Sequence, residues 1–372
     1  MPNVKFPSPG FNRTRFSQAM SGANLDALLI TSPENVYYTT GYPAISSAGN
    51  PILFALRNVL PFFVYLDATG AATLFCWGGA ATGVDYDANN VITFPSMEEA
   101  LTAMEKFLEK QKGNIQRLGV ESSCPFFLLK IAEGSLAARS VTAADEILQA
   151  VRLIKSATEI GYLETSTKIV EATVSELMEL VKVGIRRPFL IHESKTRMMA
   201  YGATGIGHVT ISFGSSNPEV EIDEVLEPGK LVVLDLGAQY LGYASDNRRL
   251  MYTGKVPAGM LDLHKRMCGI VDEIASRFVP GTSFTEMYNL AIDLYKANKL
   301  EPFIPNVGHT IGLNTEEDWI YKDNPVVIQP GMVVNLELYS LYETGELIGD
   351  EETYIVEENG VRQITTLPRA IR

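Results

Sequence analysis

Five residues in this 372-residue chain have the types and placement to hold metal cations: Asp235, Asp246, His309, Glu337 and Glu351. Carboxylates are hard oxygen donors suited to divalent cations, and one imidazole extends the choice to Mn, Fe, Co or Zn. Asp235 closes the apolar run LVVLDL (231–236), where an uncompensated carboxylate is costly. Asp246 follows across a glycine-containing turn in LDLGAQYLGYASDNRRL (234–250). The run, the turn and the renewed alternation in YASDNRRLMY predict a β-hairpin. Centred between Tyr240 and Leu241, that hairpin would set Asp235 opposite Asp246 with Cβ atoms about 5 Å apart, and something positive should sit between the two acids.

The pattern has an echo. LEPGKLVVLDL (226–236) reappears as IQPGMVVNLEL (328–338), with Glu337 at the place of Asp235. Each copy is a Pro-Gly turn feeding an apolar strand that carries one acid near its end, and each is followed by a strand with a second acid: Asp246 in one case, Glu351 of DEETYIV in the other. Two similar halves could each supply a carboxylate pair. NVGHTIGL (306–313) adds His309. Four carboxylates and one imidazole suffice for two metals.

Other candidates read as structural. His208, in GIGHVTISFG, lies in a strand-like segment and is expected in the core or on the surface. That segment lacks both the strand–loop–helix order and the lysine of a phosphate-binding loop. His192 and His264 fall on predicted helices and are expected to face solvent. One of Arg248 and Arg249 could pair with a carboxylate near the site, and Tyr339 and Tyr342 could line a pocket. Cys76, Cys124 and Cys268 lack metal or disulfide spacing and are expected as buried, reduced thiols.

The elements that position these residues follow from periodicity. FNRTRFSQAMSGANL is amphipathic, DALLITS is a strand, VLPFFVYLDATGAATLFCW is a hairpin turning at Thr69-Gly70, MEEALTAMEKFLEKQKG is a helix and RLGVESS is a strand. Together they predict an α/β domain over 1–150. From about residue 145 to Gly184 the pattern is helical, and 151–372 carries the two acid-bearing repeats. The net charge of −13 and the lack of a basic run argue against a nucleic-acid partner. No 18-residue apolar window and no apolar leader occur, so neither a membrane partner nor secretion is expected, and the default location is cytoplasmic.

LDLGAQYLGYASD, GHTIGL, PGMVVNLE and EETYIVEENG together resemble the pita-bread metalloenzymes, which include aminopeptidase P, prolidase and creatinase, alongside methionine aminopeptidase. LDALLITSPENVYYTTGY resembles the opening of a creatinase-type N-terminal domain, and RLIKSATEI the start of a catalytic domain, so the likeness spans nearly the whole chain. It implies a creatinase-type, RNase H-like α/β domain followed by an α+β pita-bread catalytic domain. It also implies two divalent metals, Mn, Fe, Co or Zn. Asp246 and Glu351 would bridge them, Asp235 would bind one, and His309 with Glu337 the other. Glu337 would also shuttle protons. Glu352 is a rival to Glu351, which fits the family's acid-acid-Thr pattern better. A homodimer is implied as well, with one subunit's N-terminal domain capping its partner's cleft.

Departures from the peptidases are equally specific. Three further histidines of their clefts correspond here to Pro218, Pro305 and Glu316, and an arginine to Gly349. Losing those donors removes oxyanion stabilisation in which a single group can matter by roughly 10² to 10³ in rate. The expectation is therefore a dinuclear metal-dependent hydrolase, Xaa-Pro peptidase-like in fold and ligands, that cleaves an amide-type C–N bond in a small molecule or atypical peptide. A neutral or cationic substrate is favoured. The alternatives are a lyase or creatinase-like amidinohydrolase on the same scaffold, with Glu316 or another carboxylate as general base, and a non-catalytic binding protein.

Overall fold

The computed structural model describes residues 3–136, 138, 140–304 and 306–372; Pro305, expected in place of one cleft histidine, lies outside them. The chain divides into Met1–Arg152 and Leu153–Arg372.

The first unit is built on a six-stranded mixed sheet whose strands lie in the order Asn90–Phe94, Ala72–Trp77, Phe63–Asp67, Ala27–Ile30, Arg117–Val120 and Ser140–Ala143. The predicted hairpin is present, with Phe63 paired to Phe75 and Gly70 at positive φ in its turn. The helix Met97–Gln111 starts at Ser96, whose hydroxyl accepts the Glu99 N–H, and buries Ala100, Met104 and Leu108 on one face.

The second unit repeats one plan twice. A four-stranded sheet centred on the Asp235 strand (Leu231–Tyr240) packs against the helices Ala157–Leu180 and Arg187–Ala200. A five-stranded sheet, containing the Glu337 strand (Val333–Leu341) and the Glu351 strand (Leu347–Glu357), packs against Ala258–Arg277 and Phe284–Ala297. The long helical stretch from residue 145 is not one helix. It breaks after Arg152 and restarts at Ala157, where Ser156 and Glu159 form a capping box.

The register of the first hairpin differs from the expected one. Tyr240 pairs with Tyr243, so the two-residue turn is Leu241-Gly242, both at positive φ, and the hairpin's centre is one residue further on. Asp235 therefore opposes Arg248, not Asp246. Moving the centre by one residue changes each pairing by two positions, which keeps both acids on the same face as diagonal neighbours. In the second half Glu337 does pair directly with Glu351.

Candidate metal centre

The Asp235 strand and the Glu337–Glu351 pair bring their acidic faces together with His309, which stands on the short strand Gly308–Thr310 next to the Glu337 strand. Asp246, Glu351 and His309 are buried. His309 Nδ1 lies 3.2 Å from the Thr310 carbonyl, which can only accept, so the ring proton belongs on Nδ1 and Nε2 is left as a donor atom for a cation. That Nε2 lies 3.6 Å from Asp246 Oδ2 and 3.8 Å from Glu337 Oε1. Trp319 packs edge-on against the imidazole at 5.2 Å between centroids.

Two neighbours hold the glutamates in place. The Tyr339 hydroxyl lies 2.7 Å from Glu337 Oε2 and 3.1 Å from Glu351 Oε2, and Asn335 Nδ2 donates to Glu351 Oε1 at 3.0 Å. Asn335 is itself fixed by Thr353, whose hydroxyl donates to its side-chain oxygen. All of these residues sit on alternate positions of adjacent strands, so the pleat aims them at one side of the sheet.

Burial and crowding of like charge dominate the electrostatics. Burial, then Asp246, Asp235 and Glu337, push the Glu351 carboxyl well above the usual carboxylate range. Glu337 is also raised by burial, against the pull of His309. Burial opposes the charged form of Asp246, but His208 and His309 hold its carboxyl below the ordinary value. Four carboxylates brought together with so few cations match what divalent metals would neutralise, and the donor set fits Mn, Fe, Co or Zn.

The rival acids separate cleanly. Glu352, one residue along the same strand, points to the opposite face, 3.0 Å from Arg249 Nη2, and Thr365 donates to it. Glu316 is exposed and takes part in none of the contacts described for the cluster among the described residues. The acid of that segment with a cation partner is the half-buried Glu317, 3.0 Å from Lys155 Nζ.

Several expectations require correction. His208 lies at neither core nor open surface: its Nε2 is 3.1 Å from both Asp235 Oδ1 and Asp246 Oδ1. His264 is on a helix as expected but is buried, and its ring contacts the Gly349 and Arg369 carbonyls. Its place in the Met260, Leu263, Met267, Ile270, Ile274 stripe was the available signal. His192 is exposed. Of the cysteines only Cys76 is fully buried, its thiol pushed up to about 12; Cys124 and Cys268 are partly covered, and all three are free. Tyr342 packs on the hydrophobic core, whereas Tyr339 belongs to the cluster.

A Cβ on Gly349 would collide with the Tyr339 ring and the Leu338 carbonyl, so no side chain fits there. Arg248, from the strand opposite Asp235, lies over the Tyr339 ring at 4.6 Å, reaches Asp235 Oδ2 at 3.4 Å and donates to the Leu347 carbonyl at 3.1 Å. Arg248 also walls a cavity of about 220 Å³ lined by Ser212, Pro218, Phe303, Leu341 and Leu347. Pro218, in place of one expected histidine, is part of that wall.

Acids and an imidazole converging from two repeated halves define a metal-dependent hydrolase of the peptidase type. The chain belongs to metallopeptidase family M24, whose model matches residues 161–362, and the Creatinase/Prolidase N-terminal domain model matches residues 13–154. It is 26% identical over 362 residues to an Xaa-Pro dipeptidase of Pyrococcus horikoshii, covering 95% of this chain and 96% of that one. It is 28% identical to the uncharacterized peptidase YqhT of Bacillus subtilis, over 93% of this chain and 95% of that one. The crystal structure of the prolidase from Pyrococcus horikoshii OT3 superimposes with a TM-score of 0.81 over 97% of this chain and 99% of that one, at 22% identity, which establishes the pita-bread fold. No helix among the described residues is long and apolar enough to cross a membrane.

Proposed function

We propose that this chain is a dinuclear hydrolase that cleaves an amide-type C–N bond in a small molecule or an atypical short peptide. The observation that carries the proposal is the arrangement of Asp246, with Oδ2 turned to His309 and Oδ1 turned to the Asp235 side of the cluster. A carboxylate with its two oxygens addressed to two donor groups suits a bridge between two cations. Glu351, held by Asn335 and Tyr339, would supply the second bridge, with Asp235 holding one cation and His309 with Glu337 the other.

Bound divalent metals would lower the pKa of a water and polarise the scissile carbonyl. Glu337 is assigned the proton transfer because its carboxylate lies in the cluster, 3.8 Å from His309 Nε2 and within hydrogen-bond reach of the Tyr339 hydroxyl. Tyr339 orients Glu337 through its hydroxyl. Among the described residues Glu316 makes no contact that assigns it a step, and Glu316→Gln tests it: turnover lost in that variant with both metals retained would move the role of base from Glu337 to Glu316.

An atypical substrate is supported by Pro218 and Gly349, which cannot supply the donors found at those places in the peptidases, and by the small cavity beside the cluster. Among the described residues, Arg248 is the one cation on that wall. Its partner Asp235 offsets much of its charge, in keeping with a neutral or cationic substrate over an anionic one. The proposal includes a homodimer, checked by sedimentation.

The deciding experiment is metal content per subunit together with product analysis in ¹⁸O-labelled water, using amide, cyclic-imide and dipeptide panels. Two equivalents of metal and solvent oxygen in the product support the hydrolase. Products without solvent oxygen would assign a metal-dependent lyase, and failure to bind metal would leave a binding protein.

A further inference from the structure

We propose that His208 is a sixth protein ligand, donating Nε2 to the cation held by Asp235, so that each of the two metals carries one imidazole. This rests on the dinuclear reading above. His208 comes from the strand Gly205–Phe213, which pairs antiparallel with the Asp235 strand: Thr210 opposes Asp235, and His208 opposes Gly237. Thr210 and His208 share a face, so the imidazole stands on the same side of the sheet as Asp235. The pairing shifts between Gly237 and Ala238, and a bulge of this kind re-aims side chains next to functional sites.

Gly237 makes the approach possible. A Cβ there would stand 2.5 Å from His208 Nδ1, 2.6 Å from His208 Cε1 and 2.5 Å from the Ser245 carbonyl. The ring lies across the central strand where that strand has no side chain, and its Nε2 reaches Asp246 on the far side. Any larger residue at 237 would part the His208 strand from the Ser245–Asp246 segment.

The distances fit shared coordination better than a hydrogen bond. Nε2 is 3.1 Å from Asp235 Oδ1 and 3.1 Å from Asp246 Oδ1. One N–H cannot point along both directions, and a charge-assisted bond between an imidazolium and a carboxylate is shorter, about 2.7–2.9 Å. Donors bound at about 2.1 Å and at right angles around one cation are about 3.0 Å apart. His208, Asp235 and Asp246 are also mutually close enough for one ion to reach a donor atom on each. The opposite oxygen of Asp246 faces His309, which leaves the two imidazoles on different cations.

The chemical consequence is a change of metal class. Without His208 the Asp235 cation would see only carboxylate oxygen and water, a set that suits Mg or Mn; an added imidazole favours Zn, Co or Fe. The test uses the full chain, stripped with chelator and reloaded with zinc alone, compared with His208→Gln and His208→Ala. Zinc-edge X-ray absorption should give roughly one imidazole per zinc in the parent and roughly half in any variant that retains both ions, or the variants should hold one zinc instead of two. Competition between manganese and zinc should shift toward manganese by about tenfold or more in the variants. Two zincs with roughly half an imidazole each in parent and variants alike would overturn the His208 assignment and leave the dinuclear reading intact. No zinc in the parent would overturn the dinuclear reading itself. Circular dichroism of each variant separates loss of a ligand from loss of fold.

Discussion

Asp246 is the residue on which the centre turns, since it is the acid that faces both groups of donors. Asp246→Ala should abolish binding at both metal positions, and elemental analysis checks it: a variant that keeps two metals rules out the bridge. Tyr339 acts on the same site through its hydroxyl. Tyr339→Phe removes the group beside both Glu337 and Glu351 while keeping the ring beneath Arg248, so metal affinity or turnover should fall by about 10- to 100-fold with little change in melting temperature. An unchanged affinity and rate would mean that the glutamates are held by their strands alone. At this scale the sequence announced Asp235, Asp246, Glu337 and Glu351 because acids in apolar strands are expensive without a purpose. It did not announce His208, whose meaning depends on which residue of the neighbouring strand it faces.

At the scale of elements, the site depends on strand register and on how the two sheets are tied. Arg249 and Glu352, one residue along from Arg248 and Glu351, point to the opposite face and form a buried pair between the Asn247–Tyr252 strand and the Glu351 strand. Arg249 also donates to the Leu367 carbonyl at 2.8 Å. Arg249→Ala would remove the nearer cation from the buried Glu352 carboxylate, leaving Arg369 at 3.7 Å, and chemical denaturation should show a loss of about 3–5 kcal/mol. A loss below about 1 kcal/mol would indicate that water reaches the pair. Gly349 illustrates the same dependence by absence of a side chain. Gly349→Ala should cost about 1–3 kcal/mol and displace the Tyr339 ring, read as reduced metal affinity beyond the stability change. The hairpin itself was visible in the alternation around LDLGAQYLGYASD. Its register was not, because the turn could close at several places, and the positive-φ pair Leu241-Gly242 selects one of them.

For the whole molecule, the accumulated negative charge makes stability depend on pH and on metal. In the metal-free protein burial raises Glu351 and Glu337 above their ordinary values. Burial opposes the charge on His208, but Asp246 and Asp235 outweigh it and raise that imidazole well above its ordinary value. A group whose folded value is raised stabilises the protein below its unfolded value, and this contribution is lost as pH climbs through the folded value. All three therefore act in the same direction, and the metal-free protein should lose stability between about pH 5 and pH 8. Asp246, which is lowered, contributes above its ordinary value of 3.8 and loses that contribution only as pH falls through its folded value, so it does not reverse the trend in that window. Metal binding requires ionised carboxylates and neutral imidazoles, so affinity should rise over the same range and uptake should release protons. Melting curves near pH 5.5 and pH 8, with chelator and with zinc, check this. A metal-free Tm that rises with pH would contradict the placement of these groups.

The sequence by itself determined the repeated turn–strand–acid plan, the alternating α/β character of the first part, and the chemistry of a hard-donor metal centre. Those properties reside in local periodicity and in residue types whose burial is costly. Only the tertiary structure decided that Asp235 faces Arg248, that Glu351 and not Glu352 enters the cluster, that His208 reaches across Gly237, and that Arg248 lies over the Tyr339 ring against which position 349 has no room for a side chain. Each of these is a relation between strands distant in sequence. Its outcome turns on register and on a few ångströms of clearance, which no single segment specifies.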